Sequence, residues 1–347
     1  MQAAEATRSP VILQASQSAR KYCDDIFIKH LFLAAIERYP HIPVCVHQDH
    51  GSSLAVCTAA MLPALVLGAL PIAEFGTDEQ QSAWLPGVID GSVILTAGLS
   101  EGADGLPPEV PATTATRSGD GWTISGSKHL VPGAVHAARI LVPARTGDGT
   151  STVFLVDPAA SGVTAEVNHG PNLEPLTTLT FDGVAVTDAD VLGAVDGGAA
   201  VTAWIADRAV AGYCALTAGV CEAALRITAT YTSERRQFDT PIATFQAVAH
   251  RAADAYIDTE AVRLTAYQAA WRLGEGLPAA EELAIAKSWA ADGAHRVVHA
   301  AQHLHGGIGV DTDYPVHRTF RWAKHLELSL GGGTTHLRRL GALLAAG

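Results

Sequence analysis

The chain has 347 residues, 48% of them hydrophobic and 17% charged, with a formal net charge of −12. That length supports two or three domains with cores of their own. The acidic balance excludes a nucleic-acid binder, which needs basic surface to neutralise phosphates, but leaves room for a phosphorylated ligand held by a few local cations. Cys23, Cys45, Cys57, Cys214 and Cys221 form no CxxC pair and no zinc-like spacing. An odd count without a framework suits a reducing cytoplasm. The most apolar run, Ala59 to Ala73, carries Pro63 and Pro71 and is shorter than the roughly 20 residues of a membrane helix. The first residues lack a signal-peptide pattern, so the expected location is the cytoplasm.

Three textures follow one another along the chain. Near the start, the apolar run Pro10 to Gln14 reads as a strand, Asp24 to Tyr39 as a helix, and Ile42 to His47 as a second strand. Strand, helix, strand of this length is a βαβ-like segment of a parallel sheet. Between about 93 and 193, short runs rich in Val, Thr and Leu alternate with Gly, Pro and Asp. Trp122-Thr-Ile124, Ala138 to Val142, Thr152 to Val156 and Leu179-Thr-Phe181 are examples, and they predict an all-β segment.

From about residue 200, apolar residues recur at helical spacing over Ala200–Tyr231, Thr244–Trp271 and Ala279–His303, with Gly274, Gly276 and Pro278 separating the last two. Shorter helices are predicted over His317–Leu330 and from Thr335 to the end. This is the pattern of an antiparallel helical bundle. No internal repeat is present.

The most specific residues lie in this helical part. Arg235-Arg-Gln-Phe-Asp-Thr-Pro-Ile242 is followed by Phe245-Gln246, then Gln302-His-Leu-His-Gly-Gly-Ile-Gly309, then Asp313-Tyr-Pro-Val-His-Arg318. Upstream stand Phe75-Gly-Thr-Asp-Glu-Gln80, Trp84-Leu-Pro-Gly87 and Gly121-Trp-Thr-Ile-Ser-Gly-Ser-Lys128. In order and spacing these resemble the acyl-CoA dehydrogenase superfamily over roughly residues 60 to 347. The resemblance implies an α+β fold, with a small central β-barrel or sandwich followed by the C-terminal helical bundle. It divides the chain into residues 61–92 (a remnant of the N-terminal helical domain), 93–195 (β domain) and 196–347 (bundle). It also implies FAD, and an oligomer in which one bundle reaches the ADP part of a flavin lodged mainly in a neighbour.

Pyrophosphate needs fixed positive charge, and a planar guanidinium supplies paired donors. Arg235, three residues before Phe238, matches the family's pyrophosphate-binding arginine. Gly306 and Gly307 let backbone amides approach closely. Gln246, Gln302 and His305 complete the implied ADP site. Alone, Arg235 reads as a surface residue and the glycines as a helix end.

The sequence departs from the family where the chemistry sits. A carboxylate must remove the proton next to the thioester. The common base position, in a Tyr-Glu-Gly-Thr stretch, falls on Gly332 of Gly331-Gly-Gly-Thr334, and the alternative position falls on Ala209. Asp207, roughly 200° away around the helix, reads as a solvated carboxylate and is a weak candidate. The segments expected to hold the flavin ring are also altered: Leu99-Ser-Glu-Gly-Ala-Asp-Gly105, and His129-Leu-Val-Pro132, which carries no Trp or Tyr. Together with Val310 to Arg318, this resembles the base-less subunits of heteromeric actinobacterial acyl-CoA dehydrogenases that act on steroid side-chain CoA thioesters. It implies a partner subunit that supplies base and ring site; a homodimer is the other arrangement.

Residues 1 to about 57 are similar to class II fructose-bisphosphate aldolase, through Ser9 to Ser16, Ala19 to Tyr22 and Ile42-Pro-Val-Cys-Val-His-Gln-Asp-His-Gly51. There Asp49 matches the proton donor and His50 a zinc ligand. A catalytic zinc needs three converging protein ligands, and the rest of that barrel is missing, so Asp49 and His50 are expected to be relics. The aldolase-like piece, residues 1–60, takes the place of the dehydrogenase's first helices. Three other readings stand beside the heteromer subunit: a self-sufficient dehydrogenase with a relocated base, a zinc-dependent aldolase, and a non-catalytic scaffold.

Overall fold

Runs of alternating apolar residues between turn glycines build the middle of the chain into one sheet. The structure, a computed structural model, describes residues 11–15, 44–48, 60–102 and 105–346. Near the start, β1 (Val11–Ala15) and β2 (Val44–Gln48) pair in parallel, as a βαβ-like segment requires. The helix expected between them lies outside the described residues.

A π-helical stretch (Ala60–Ala69) runs into α1 (Leu70–Phe75), and α2 (Asp78–Asp90) follows. Thr77 and Gln80 form a reciprocal capping box at the start of α2, which satisfies two otherwise orphan amide donors. The Gln80 amide also donates to Ala189 O and Val191 O, fastening α2 to the far end of the sheet.

The eight-stranded mixed sheet contains β3 (Leu95–Ala97), β4 (Thr114–Ser118), β5 (Gly121–Pro132), β6 (Arg139–Arg145), β7 (Ser151–Val156), β8 (Val163–His169), β9 (Pro175–Thr187) and β10 (Val191–Leu192). Its order is β10-β7-β6-β4-β5-β9-β8, with β3 parallel to β6. Side chains of successive strand residues point to opposite faces. Ile140, Val142, Phe154 and Val156 therefore join Trp122, Ile124, Leu179 and Phe181 in a core built almost wholly from the sheet's own strands. Leu141, Val153 and Leu155 face the other way and pack on helices.

The bundle comprises α3 (Gly198–Glu234), α4 (Gln246–Gly274), α5 (Ala280–His305), α6 (Val316–Leu328) and α7 (Gly333–Ala346). A small hairpin, β11 (Arg236–Gln237) with β12 (Thr240–Pro241), joins α3 to α4. Val210, Cys214 and Ala218 early in α3 pack with Val262, Ala266 and Ala269 late in α4. Cys221 and Ala224 late in α3 pack with Ala255 early in α4. Thus α3 and α4 are antiparallel. α5 runs parallel to α3, because Leu283 and Ala286 join the first group while Val297 and Ala301 join the second. Among the described helices α3 alone has the length and apolarity to cross a membrane; here its Val201, Ile205, Ala209 and Tyr213 lie in the core between sheet and bundle.

Helix α6 ends two residues earlier than its apolar spacing predicts. Ser329 caps it in an extended conformation, and Leu330 and Gly331 then take positive φ of 52° and 88°. The turn is held from inside the protein. The Lys287 ammonium, fully buried on α5, donates to Leu326 O and Glu327 O at 2.7 and 3.1 Å, meeting carbonyls that a helix C-terminus leaves orphaned. Burial brings the Lys287 pKa down to about 8, with Cys214 and Glu327 opposing.

Candidate functional site

A cavity of about 300 Å³ lies where the sheet meets the bundle, with Leu99, Ser100, Val131, Tyr213, His325 and Leu330 among the residues lining it. Both altered ring segments reach it. The Leu99–Gly105 segment contributes Leu99, Ser100 and Gly105, and β5 contributes all four residues of His129 to Pro132. The strand is irregular there. Register shifts between Lys128 and Val131, Leu130 takes a φ of 54°, and His129 N–H bonds Ser100 O at 2.8 Å. Such bulges re-aim side chains beside sites.

The wall is pinned by a buried ion pair. Lys128 Nζ lies 2.6 Å from Glu101 Oε1, with side chains 0% and 9% exposed. Glu101 also accepts from the backbone N–H groups of Ala112 and Thr113. Burial pushes the Glu101 carboxyl up, but Lys128 and those donors outweigh it and hold it below the ordinary value. Burial lowers Lys128, and Glu101 opposes that shift. Across the cavity, Tyr213 is driven well above the usual phenol range by burial, with the Glu174 charge adding to it.

Neither base position bears a carboxylate. Ala209 is fully buried beside Ile205, Tyr213 and Trp322. At Gly332 an added Cβ would meet nothing closer than Glu327 O at 4.0 Å, so a side chain would have room. Asp207 is turned away and sits 3.5 Å from Arg339 on α7. The half-buried Asp207 is not among the residues that line the cavity. Asp207→Asn is therefore expected to leave dehydrogenase turnover of a reconstituted assembly within about twofold of wild type; a loss of a hundredfold or more, the scale of a missing general base, would make Asp207 the base.

The other predicted residues gather at the opposite feature, the end of the bundle where α3 and α5 finish and α4 begins. The Tyr231 ring stacks on His305 at 4.4 Å, and its hydroxyl donates to His305 O at 3.4 Å. Arg235 follows one turn later, exposed. Phe238 is 91% exposed on the hairpin, at a φ of 50°. Gln246 is exposed and Gln302 half-buried. Among the described residues, the side chains of Arg235, Gln246 and Gln302 make no hydrogen bond. An added Cβ at Gly306 or Gly307 would meet nothing within 4 Å, so both glycines face open space. His305 Nδ1 donates to Ala301 O at 2.7 Å, which leaves Nε2 as a buried acceptor without a partner. Burial lowers the His305 pKa. A neutral acceptor of this kind suits a hydroxyl or amino donor of a nucleoside, and Arg235 adds an exposed cation beside it. The set fits the ADP part of FAD; the cavity, in contrast, presents no Trp and a single Tyr.

Asp49 and His50 lie outside the described residues. Among the described residues no group of three or more His, Cys, Asp or Glu side chains could hold a metal ion. Sequence reasoning missed the partners of Glu101 and Lys128, although both stand in the quoted motifs, and missed Tyr213, Lys287, His325 and His336 altogether. The legible signal was a lysine on an apolar helix face, Ala286-Lys-Ser-Trp-Ala290.

A mixed-sheet domain leading into a five-helix bundle, with a cavity between them and a nucleotide-suited bundle end, defines an acyl-CoA dehydrogenase-like fold. Residues 96–184 match the acyl-CoA dehydrogenase middle domain and residues 196–343 the acyl-CoA dehydrogenase C-terminal domain. "Acyl-CoA dehydrogenase FadE27" of Mycobacterium tuberculosis is 40% identical over 82% of this chain and 76% of its own length. Similar structures include the "Tcur3481-Tcur3483 steroid ACAD G363A variant" (44% identity, TM-score 0.75, 82% of this chain and 76% of that one). Another is the ChsE4-ChsE5 complex of Mycobacterium tuberculosis (40%, TM-score 0.77, 85% and 78%). The chain belongs to the acyl-CoA dehydrogenase family, whose members use FAD. Residues 1–65 match class-II fructose-bisphosphate aldolase instead.

Proposed function

We propose that this chain is the base-less subunit of a heteromeric acyl-CoA dehydrogenase. It lends the ADP half-site for FAD to a catalytic partner that oxidises an acyl-CoA to the 2,3-enoyl-CoA. The observation that carries the reading is a contrast within one chain. Gly332 and Ala209 leave both base positions without a carboxylate, whereas Arg235 and Gln246 stand exposed at the bundle end beside Gly306 and Gly307, where an added Cβ would meet nothing within 4 Å. Two of the similar structures are named as pairs, Tcur3481-Tcur3483 and ChsE4-ChsE5, and the first is named a steroid ACAD. A steroid side-chain CoA is accordingly the first substrate to try.

FAD, when bound, supplies the hydride acceptor. The residues of this chain position it. Arg235 offers a paired-donor fork to the pyrophosphate, Gly306 and Gly307 admit close backbone approach, and His305 Nε2 accepts from a nucleoside donor. The self-sufficient alternative lacks support, since its candidate Asp207 is held by Arg339.

The purified chain alone is expected to be colourless or weakly flavinated, and inactive on acyl-CoA. Mixed with its partner, wild type should restore yellow colour and turnover. Arg235→Ala should weaken flavin binding roughly ten- to a hundredfold, since a charge-assisted contact is typically worth about 1.5–3 kcal/mol. Arg235→Lys should recover part of this, keeping the charge but losing the fork. Flavin absorbance after gel filtration reads the result, and equal occupancy in all three would remove Arg235 from the site.

A further inference from the structure

Helix α4 turns an apolar face to solvent. Tyr256, Ile257, Leu264, Tyr267 and Trp271 are each 56–63% exposed, on a helix whose other side is buried against α3 and α5. Ile257, Leu264 and Trp271 recur every seven residues, so they form one line along the helix, with Tyr267 beside it. Between Ala253 and Trp271 the one charged residue on that face is Glu260, and Arg263 already pairs with it. Lysine, which is depleted at protein interfaces, is absent from α4. Trp289 of α5, 37% exposed, stands level with the middle of the stripe: a Cβ at Gly293 would lie 3.4 Å from its ring and 2.9 Å from Val262 of α4.

The pattern is self-complementary. Leu264 is midway between Ile257 and Trp271. In an antiparallel pair of α4 helices with the two-fold axis at Leu264, each Leu264 meets its own copy and each Ile257 meets Trp271 of the other, the reciprocity that an isologous contact requires. The charges select the same direction. The first half of α4 carries Asp254, Asp258 and Glu260 against Arg251, and the second half carries Arg263 and Arg272 with no carboxylate. Antiparallel pairing sets the acidic half on the basic half. It brings Asp254, which is exposed and has no ion pair among the described residues, opposite Arg272 of the second copy, on the same flank of the stripe. Parallel pairing would set Asp254 against Asp254 and like half on like half, which is costly.

We propose that α4 is a contact between two copies of this chain, packed antiparallel with Leu264 on the two-fold axis. The contact is separate from the bundle end proposed for flavin. Gln246, at that end, lies about 27 Å along the helix from Leu264, so the pair holds its two bundle ends roughly 54 Å apart and leaves both free.

The test uses the full chain without flavin or partner subunit, so it is decided independently of the proposed function. In sedimentation equilibrium at micromolar concentration, wild type should be dimeric. Leu264→Arg replaces an apolar contact on the axis by two like charges. It should weaken the dimer at least about thirtyfold, the scale of a hot-spot residue. Its far-ultraviolet circular dichroism should match wild type, since Leu264 is exposed in the single chain. Cross-linking then reads the register. On oxidation with copper–phenanthroline, Leu264→Cys should form an intermolecular disulfide beyond any that the wild-type cysteines give. Ile257→Cys should not, because the two copies of that position would lie about 21 Å apart, out of disulfide reach. Monomeric wild type, a Leu264→Arg dimer as tight as wild type, or linking of Ile257→Cys as ready as that of Leu264→Cys would overturn the proposal.

Discussion

Glu101→Gln is expected to cost about 3–5 kcal/mol, the loss typical of removing one partner from a buried ion pair. The Lys128 side chain is fully buried, and Glu101 is the one carboxylate within reach of its ammonium among the described residues. A glutamine in place of Glu101 loses the charge and turns an amide donor toward the N–H groups of Ala112 or Thr113, where two acceptors are needed. Lys128→Met should be milder, about 1–3 kcal/mol, because Glu101 keeps its two backbone donors. The double variant should recover part of the Glu101→Gln loss, since the stranded ammonium is gone. Urea titrations of the three variants against wild type measure this. A Glu101→Gln loss under about 1 kcal/mol would mean that water reaches Lys128 and that the cavity wall is not pinned there.

Acid should weaken the chain through His336. Its ring is fully buried at the start of α7, with Nε2 donating to Leu330 O at 2.8 Å and Nδ1 without a partner. Burial brings its pKa down to about 4; the Leu330 carbonyl opposes this, and the Lys287 and Arg339 charges reinforce it. The helix N-terminus also disfavours a cation. Between about pH 4 and the unfolded value near 6.5, the unfolded chain binds a proton that the folded chain refuses. Stability therefore rises with pH across that window. The contribution is complete above about pH 6.5 and is lost as pH falls toward 4, for a total of about 3 kcal/mol. His336→Gln keeps a donor for Leu330 O and does not titrate. The difference between wild type and His336→Gln in urea titrations should shrink by about that amount from pH 6.5 to 4, while shared carboxylate effects cancel. A difference independent of pH would mean that His336 titrates normally. The turn at stake is the one that carries Gly332.

The helices were legible because their signal is local. Apolar spacing predicts Ala200–Tyr231, Thr244–Trp271 and Ala279–His303, and the helices observed are Gly198–Glu234, Gln246–Gly274 and Ala280–His305. The end of α6 was misplaced because Leu330 continues the apolar pattern while its backbone has already left the helix. The bundle-end residues were reachable through resemblance, since they stand in contiguous motifs. The cavity was not. Its polar groups pair across long stretches of chain, Glu101 with Lys128 and Glu174 with His325, and no spacing rule links residues brought together only by tertiary packing. Tyr213 and Lys287 sit on helices whose periodicity marks them as core, without saying what a hydroxyl or an ammonium would do there.

The loop of Gly170 to Glu174 bears on how the family member could vary over time. Surface loops between strands are where insertions are ordinarily tolerated. This one is fastened at both ends to α6: Arg321 donates to Pro171 O, and Glu174 faces His325. Within itself it is closed by Gly170 N–H on Glu174 O and Leu173 N–H on Gly170 O. A single added residue would break the internal closure or pull one fastening away. The loop's length is therefore under the same constraint as the core, and length variation among descendants of this chain should fall elsewhere, at turns such as the one at Gly149, where an added Cβ would meet nothing within 4 Å.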